Sequence, residues 1–135
     1  QAIVGDWLLP EAKNIAKKRI NNARYLDESL SKIKQIQIPI RPKHIRHVFH
    51  LYIVFAKKRD RLLNYCLKRG IEAKIHYPIP IYRQKPFLKL GFKKGDYPVT
   101  DAHAKKMISF PCDQHLTKKQ LLLIVKTVKE FYQKI

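Results

Sequence analysis

Residues 72–84, EAKIHYPIPIYRQ, join two backbone habits that cannot continue into one another. Ile71, Ala73 and Ile75 alternate with the two-residue period of a half-buried strand and lead into His76-Tyr77. Pro78 and Pro80 follow, two residues apart. Proline fixes φ at about −65° and carries no N–H, so a sheet ladder cannot run through Pro78-Ile79-Pro80. The residue before each proline is pushed to extended geometry. The expected product is a strand, residues 71–76, ending in a stiff arm that carries His76, Tyr77, Tyr82, Arg83 and Gln84. Such an arm can hold a ligand, or it can simply cross from one layer to another. On local physics alone the second reading is the simpler.

Upstream, Val48 to Phe55 is a nearly continuous apolar run, expected as a strand buried on both faces or nearly so, with His50 as a satisfied core histidine. Lys57 to Arg69 reads as a helix with Leu62, Leu63, Cys66 and Leu67 inward, and Gly70 as its stop. Downstream, Pro86–Leu90 is expected as one helical turn halted by Gly91. Val99–Met107 reads as a short helix with Thr100 or Asp101 near its N-cap, and Met107–Phe110 as a strand ended by Pro111. Thr117-Lys118-Lys119-Gln120 is a capping-box pattern opening a last helix with Leu121, Ile124, Val125, Val128, Phe131 and Tyr132 on one face. At the other end, Pro10-Glu11 is a helix start. Ala16, Ile20, Ala23, Leu26, Leu30 and Ile33 recur at steps of three and four, which predicts an amphipathic helix over about residues 10–34. Ile38-Pro39-Ile40-Arg41-Pro42 is a connector. The elements predict an α+β fold, an α/β sandwich in which a small mixed or antiparallel sheet carries helices mainly on one side.

Several of these segments resemble one family. His76 to Gln84, preceded by Arg69-Gly70-Ile71 and followed by Gly95-Asp96-Tyr97-Pro98 and Ile108-Ser109-Phe110-Pro111, is similar to the C-terminal domain of the DegT/DnrJ/StrS family of nucleotide-sugar aminotransferases, which depend on pyridoxal phosphate. Lys18, Arg19, Asn22, Ala23 and Tyr25 match the pattern of that family's long helix, and His50-Leu51-Tyr52 resembles one of its strands. Tyr82 departs from the pattern, standing where the family usually has histidine. The resemblance implies the small C-terminal domain of a fold-type I aminotransferase. It further implies that residues 1–9 are a remnant of the segment joining it to a large domain, with residues 10–135 as the single small domain. Trp7, Leu8 and Leu9 would then form an exposed apolar patch.

Composition sets outer limits. A length of 135 residues suits one domain with a real core. No apolar run approaches the ~20 residues of a membrane span, and the first residues show no secretory signal pattern, so a cytoplasmic protein with no membrane partner is expected. Cys66 and Cys112 are the only cysteines and lack the spacing of a zinc site, which suggests reduced, buried thiols. Twenty-nine Lys and Arg face ten Asp and Glu, a net charge of +19. The basic residues recur as short clusters (17–19, 57–59, 93–94, 105–106, 118–119), and no RNA- or DNA-binding motif links them. They read first as a solvated basic surface. A non-catalytic binding module for an acidic partner such as nucleic acid is the alternative function.

A pyridoxal phosphate enzyme needs a lysine for the cofactor, an acid against its pyridine nitrogen and a phosphate cup. The four glycines are scattered and no lysine stands in such a setting. Nor is there a serine nucleophile elbow or a metal cluster, so neither a catalytic residue nor a metal ligand is assigned. By resemblance the cofactor-bearing lysine lies in a large domain, on this or another chain, and this segment alone is expected to be inactive and to hold no cofactor. The resemblance also implies a nucleotide-sugar substrate for the parent enzyme, with His76, Tyr77, Tyr82 and Gln84 as substrate-binding candidates, and leaves a homodimer open.

Overall fold

The computed structural model describes all of residues 1–135. Three strands form one antiparallel sheet in the order β1-β2-β3: β1 is Ile36–Gln37, β2 is Tyr52–Ala56 and β3 is Met107–Phe110. The helices are α1 (Ala2–Leu8), α2 (Ala12–Leu30), α3 (Arg59–Leu67), α4 (Lys85–Leu88), α5 (Pro98–Lys106) and α6 (Lys118–Gln133). This is the expected α+β class. No helix is long and apolar enough to cross a membrane.

The register of β2 and β3 sorts the side chains. Tyr52 faces Phe110 and Val54 faces Ile108, and with Ala56 these residues join α2, α3 and α6 in one core. Ile53 pairs with Ser109 and Phe55 with Met107 on the opposite face. There the Phe55 ring lies 4.5 Å from His103 of α5. The β2 strand is therefore fully buried on one face and half-buried on the other, in line with the expectation for Tyr52 onward.

The apolar run before Tyr52 does not extend β2. Phe49 takes φ +54°, in the left-handed region that non-glycine residues rarely adopt, and the chain leaves the sheet plane there. Arg19 of α2 accounts for this turn. Its guanidinium donates to Phe49 O (3.0 and 2.7 Å) and His50 O (2.8 Å), carbonyls that a longer ladder would have needed. His50 ends up exposed, not in the core.

The strand expected over residues 71–76 is reduced to one bridge. Lys74 N–H donates to Ser109 O (3.0 Å) and Ser109 N–H to Lys74 O (2.8 Å). The alternation is as read, with Ile71 and Ala73 buried and Glu72 and Lys74 exposed. The next bonded pair toward Glu72 would require an N–H from Pro111, and in the other direction the Met107 carbonyl is taken by Arg59, so the ladder stays at one bridge.

The helix expected over residues 10–34 starts earlier and is broken. Pro10 sits inside a 3-10 turn, Leu9–Glu11, between α1 and α2. Its missing N–H removes the bond that would have joined them. At α5, Pro98 takes the first helical position and Tyr97 the N-cap, in place of Thr100 or Asp101. In α3, Leu67 is exposed and Arg59 is buried.

Two terminating signals hold as read. Gly70 has φ +73° just past α3. Thr117 Oγ1 accepts from Gln120 N–H, and Gln120 Oε1 accepts from Thr117 N–H (2.8 Å). Thr117→Ala removes one half of this reciprocal cap at an otherwise exposed site, so a loss of about 1 kcal/mol in urea unfolding is expected.

Candidate active-site cleft

His76 stands at the edge of the sheet, on the face away from α2, α3 and α6. Its Nδ1 lies 3.0 Å from Ser109 Oγ. Ser109 reaches that face because it sits between inward-facing Ile108 and Phe110 on β3. Beside it, Lys74 Nζ is 2.7 Å from Glu72 Oε1, and hydrogen bonding to this ammonium holds the Glu72 carboxyl below its usual range. Arg19, His50 and Asp113 complete the far side of a polar cleft of about 270 Å³.

This arrangement offers two cations, two imidazoles, a hydroxyl and the carboxylates of Glu72 and Asp113 to a hydroxyl-rich ligand. It does not make a nucleophile. The hydrogen bond to Ser109 is the only one His76 makes through its side chain, so no carboxylate orients the ring as a triad would require. No three His, Cys, Asp or Glu side chains converge on a metal-sized site.

The four candidate residues separate into two groups. His76 lines the cleft, and Tyr77 beside it is 72% exposed, its ring meeting that of His76 edge-on at 5.9 Å. Tyr82 is buried in a 3-10 turn, Ile81–Arg83. Its hydroxyl donates to Asp101 Oδ1 (2.7 Å), and its ring packs against Phe92 and Tyr97. Burial, reinforced by the bond to Asp101, pushes the Tyr82 phenol above its ordinary value. Gln84 is exposed and caps α4 by position, without a side-chain hydrogen bond. The second tyrosine of the arm thus faces the loop ahead of α5.

Sequence reasoning passed over Arg19 as a functional group and did not single out Ser109. The signal for Ser109 was present: a lone hydroxyl in an apolar strand, one step out of phase with its neighbours. Arg19 gave no such signal, because its partners are carbonyls thirty residues away.

The residues of this chain do not fit a resident pyridoxal phosphate. Every lysine is exposed, whereas an aldimine lysine needs an enclosed pocket. The four glycines, Gly5, Gly70, Gly91 and Gly95, are scattered along the chain and do not form the clustered turn of a phosphate cradle.

Comparison with known proteins gives a consistent set of matches. The model of the DegT/DnrJ/EryC1/StrS aminotransferase family matches residues 1–129. A pleiotropic regulatory protein of Geobacillus stearothermophilus is 33% identical over 113 residues, which is 82% of this chain and 29% of that protein. A dTDP-3-amino-3,4,6-trideoxy-alpha-D-glucose transaminase of Streptomyces venezuelae is 27% identical over 113 residues, 84% of this chain and 30% of that protein. The chain therefore spans less than a third of the length of these two relatives. Among solved structures, S. venezuelae DesV in complex with a ketimine intermediate superposes with a TM-score of 0.95 at 25% identity, over 100% of this chain and 36% of that one. Helicobacter pylori PseC shares the fold, with a TM-score of 0.82 at 23% identity over 94% of this chain and 35% of that one.

Proposed function

The chain belongs to the DegT/DnrJ/EryC1/StrS aminotransferase family, and from that premise we propose that it is the small C-terminal domain of a pyridoxal-phosphate-dependent aminotransferase acting on a nucleotide-linked keto sugar. The observation that carries the reading is the superposition of the whole chain on about a third of DesV. The dTDP-sugar transaminase of S. venezuelae supplies the substrate class. On this reading the cofactor lysine, the acid against the pyridine nitrogen and the phosphate cup belong to a large domain. Residues 1–9 are the interdomain segment and residues 10–135 the domain proper. The exposed Ile3, Trp7 and Leu9 support this, since a lone domain gains nothing from leaving them in water. The protein works in the cytoplasm, where two free thiols stay reduced.

Within the assembled enzyme this domain closes one side of the active-site cleft. His76 and Tyr77 reach toward the substrate, while Tyr82 shapes the arm from behind and Gln84 ends it. Two results test this. Residues 1–135 alone, treated with pyridoxal phosphate and then borohydride, should show only scattered, substoichiometric pyridoxyl-lysine by mass spectrometry. One lysine labelled stoichiometrically would overturn the reading. In the full-length protein, Tyr77→Ala and His76→Ala should each raise KM for the sugar substrate about tenfold, a loss of ~1.4 kcal/mol, at unchanged thermal stability. Tyr82→Phe should do the reverse, lowering stability by removing the hydrogen bond to Asp101, which keeps only its longer ion pair with Arg83, and leaving KM alone. Unchanged kinetics in both arm variants would reduce the arm to a packing element.

A further inference from the structure

Two basic clusters far apart in sequence meet in space. Lys57, Lys58 and Arg61 surround the start of α3, and Lys105 and Lys106 end α5. All five line one open concavity of about 610 Å³. Asp60 is the only acid among the lining residues, and its Oδ1 lies 2.7 Å from Arg59 Nε.

Arg59 fixes this arrangement. It is 8% exposed, and its Nη1 donates to Ala104 O (3.1 Å) and Met107 O (2.9 Å) at the end of α5. Its Nε makes no hydrogen bond, so the contact with Asp60 is an ion pair by distance alone. One buried guanidinium thus ties the end of α5 to the start of α3 and holds the two lysine pairs in a set relation. Lysines in the last turn of a helix often serve only its dipole. Here Arg59 already takes the Ala104 carbonyl, and α3 adds an N-terminus with no side-chain cap, so the local field is positive beyond what α5 needs.

We propose that this surface binds the phosphate backbone of a nucleic acid without reading its sequence. The lining chemistry selects that partner. It contains no hydroxyl, amide or aromatic side chain that could orient a small phosphorylated molecule or stack on a base. Ala56 is its one apolar residue, too little to anchor an acidic protein, whose interface would want a buried apolar centre. Exposed cations spread over two helix ends suit a repeating anion, and the net charge of +19 draws such a polymer in from a distance. The inference is independent of the amino-transfer reading: either stands if the other falls.

The test is fluorescence anisotropy of the full chain with a labelled single-stranded DNA of about 20 nucleotides between 50 and 200 mM salt, the range over which phosphate contacts decide affinity. The variant Lys57→Gln, Lys58→Gln, Lys105→Gln, Lys106→Gln should bind at least tenfold more weakly at the low-salt end. The slope of log affinity against log salt should become shallower by about 3. Lys118→Gln, Lys119→Gln, Lys126→Gln, Lys129→Gln on α6 removes the same charge and should change affinity less than twofold. If the first variant unfolds by circular dichroism, Lys105→Gln with Lys106→Gln alone should still flatten the slope by about 1.4. Equal losses in the two variants, or an unchanged slope, would overturn the proposal in favour of a generic charge effect. Polyglutamate competing as well as the DNA would overturn it in favour of an acidic protein, and anionic vesicles competing as well would do so in favour of a membrane surface.

Discussion

Tyr52→Ala is expected to destabilise the chain by about 3–5 kcal/mol, enough to unfold much of a small domain at room temperature. Tyr52 heads the largest fully buried side chains, at 0% exposure, and sits where β2 meets α2. Its ring fills the core beside Phe49, 6.2 Å away. Its hydroxyl donates to Asp27 Oδ1 at 2.8 Å, and the same carboxylate accepts from Arg41 Nε and Nη2 at 3.2 and 3.3 Å. Arg41 in turn lies over the Phe49 and Tyr52 rings, 5.1 and 5.6 Å from their centroids. Truncation to alanine would remove the ring and also leave a carboxylate short of a donor. Three further variants separate these causes. Tyr52→Phe keeps the packing and loses the bond, so it should cost only about 1–2 kcal/mol. Asp27→Asn keeps an acceptor for Tyr52 and loses the ion pair. Asp27→Ala strands both partners and should cost about 2–4 kcal/mol, discounted because Asp27 and Arg41 are each about a quarter exposed. The order Tyr52→Ala, Asp27→Ala, then Tyr52→Phe, read from urea midpoints at constant m-value, checks these assignments. A Tyr52→Phe cost equal to that of Tyr52→Ala would show that the hydrogen-bond network, not packing, holds β2 to α2.

That network also marks where sequence reasoning stops. Local signals were legible. The Thr117-Gln120 cap, the strand Met107–Phe110 ended by Pro111, and Gly70 past α3 each depend on residues within a few positions, and each lies as read. The apolar run at Val48–Leu51 misled because hydrophobicity does not reveal that Arg19 would take the Phe49 and His50 carbonyls and turn the chain out of the sheet. Residues 71–76 had the right alternation but only one ladder partner, since a strand's length is set as much by its neighbour as by itself. At the candidate site, His76 and Tyr77 came from the motif. The burial of Tyr82 against Asp101, Phe92 and Tyr97 could not be read, because those partners lie across a loop. The meeting of residues 57–61 with 105–106 was hidden for the same reason: charge clusters carry no code for their mutual distance.

Raising the pH should unfold this protein well before the tyrosines of an unfolded chain have fully ionised. Burial pushes the thiols of Cys66 and Cys112 from 9.0 up to about 11 each, against smaller opposing pulls led by Arg69 and Arg19 respectively. The folded state therefore holds a proton on each sulfur that the unfolded state releases between pH 9 and 11. The stabilisation is fully present below pH 9 and is lost as pH rises toward 11. A rise of that size corresponds to ~2.7 kcal/mol for each thiol, so the pair should withdraw about 3 kcal/mol by pH 10 and about 5 by pH 11. Tyr52 and Tyr132 act in the same direction above pH 10. Burial raises both, with Asp27 adding to the first and Cys66 to the second. An opposing effect is the discharge of exposed lysines, which relieves the self-repulsion of a +19 chain. Salt distinguishes the two: near 1 M the Debye length falls to ~3 Å, which silences the surface repulsion and leaves buried thiols untouched. Stability measured by urea unfolding at high salt should thus be flat to pH 9 and then fall. Cys66→Ala with Cys112→Ala should lower the plateau, because each leaves a small cavity, yet remove the fall between pH 9 and 10. A double variant that keeps the same slope in that window would show that the two thiols do not cause the fall.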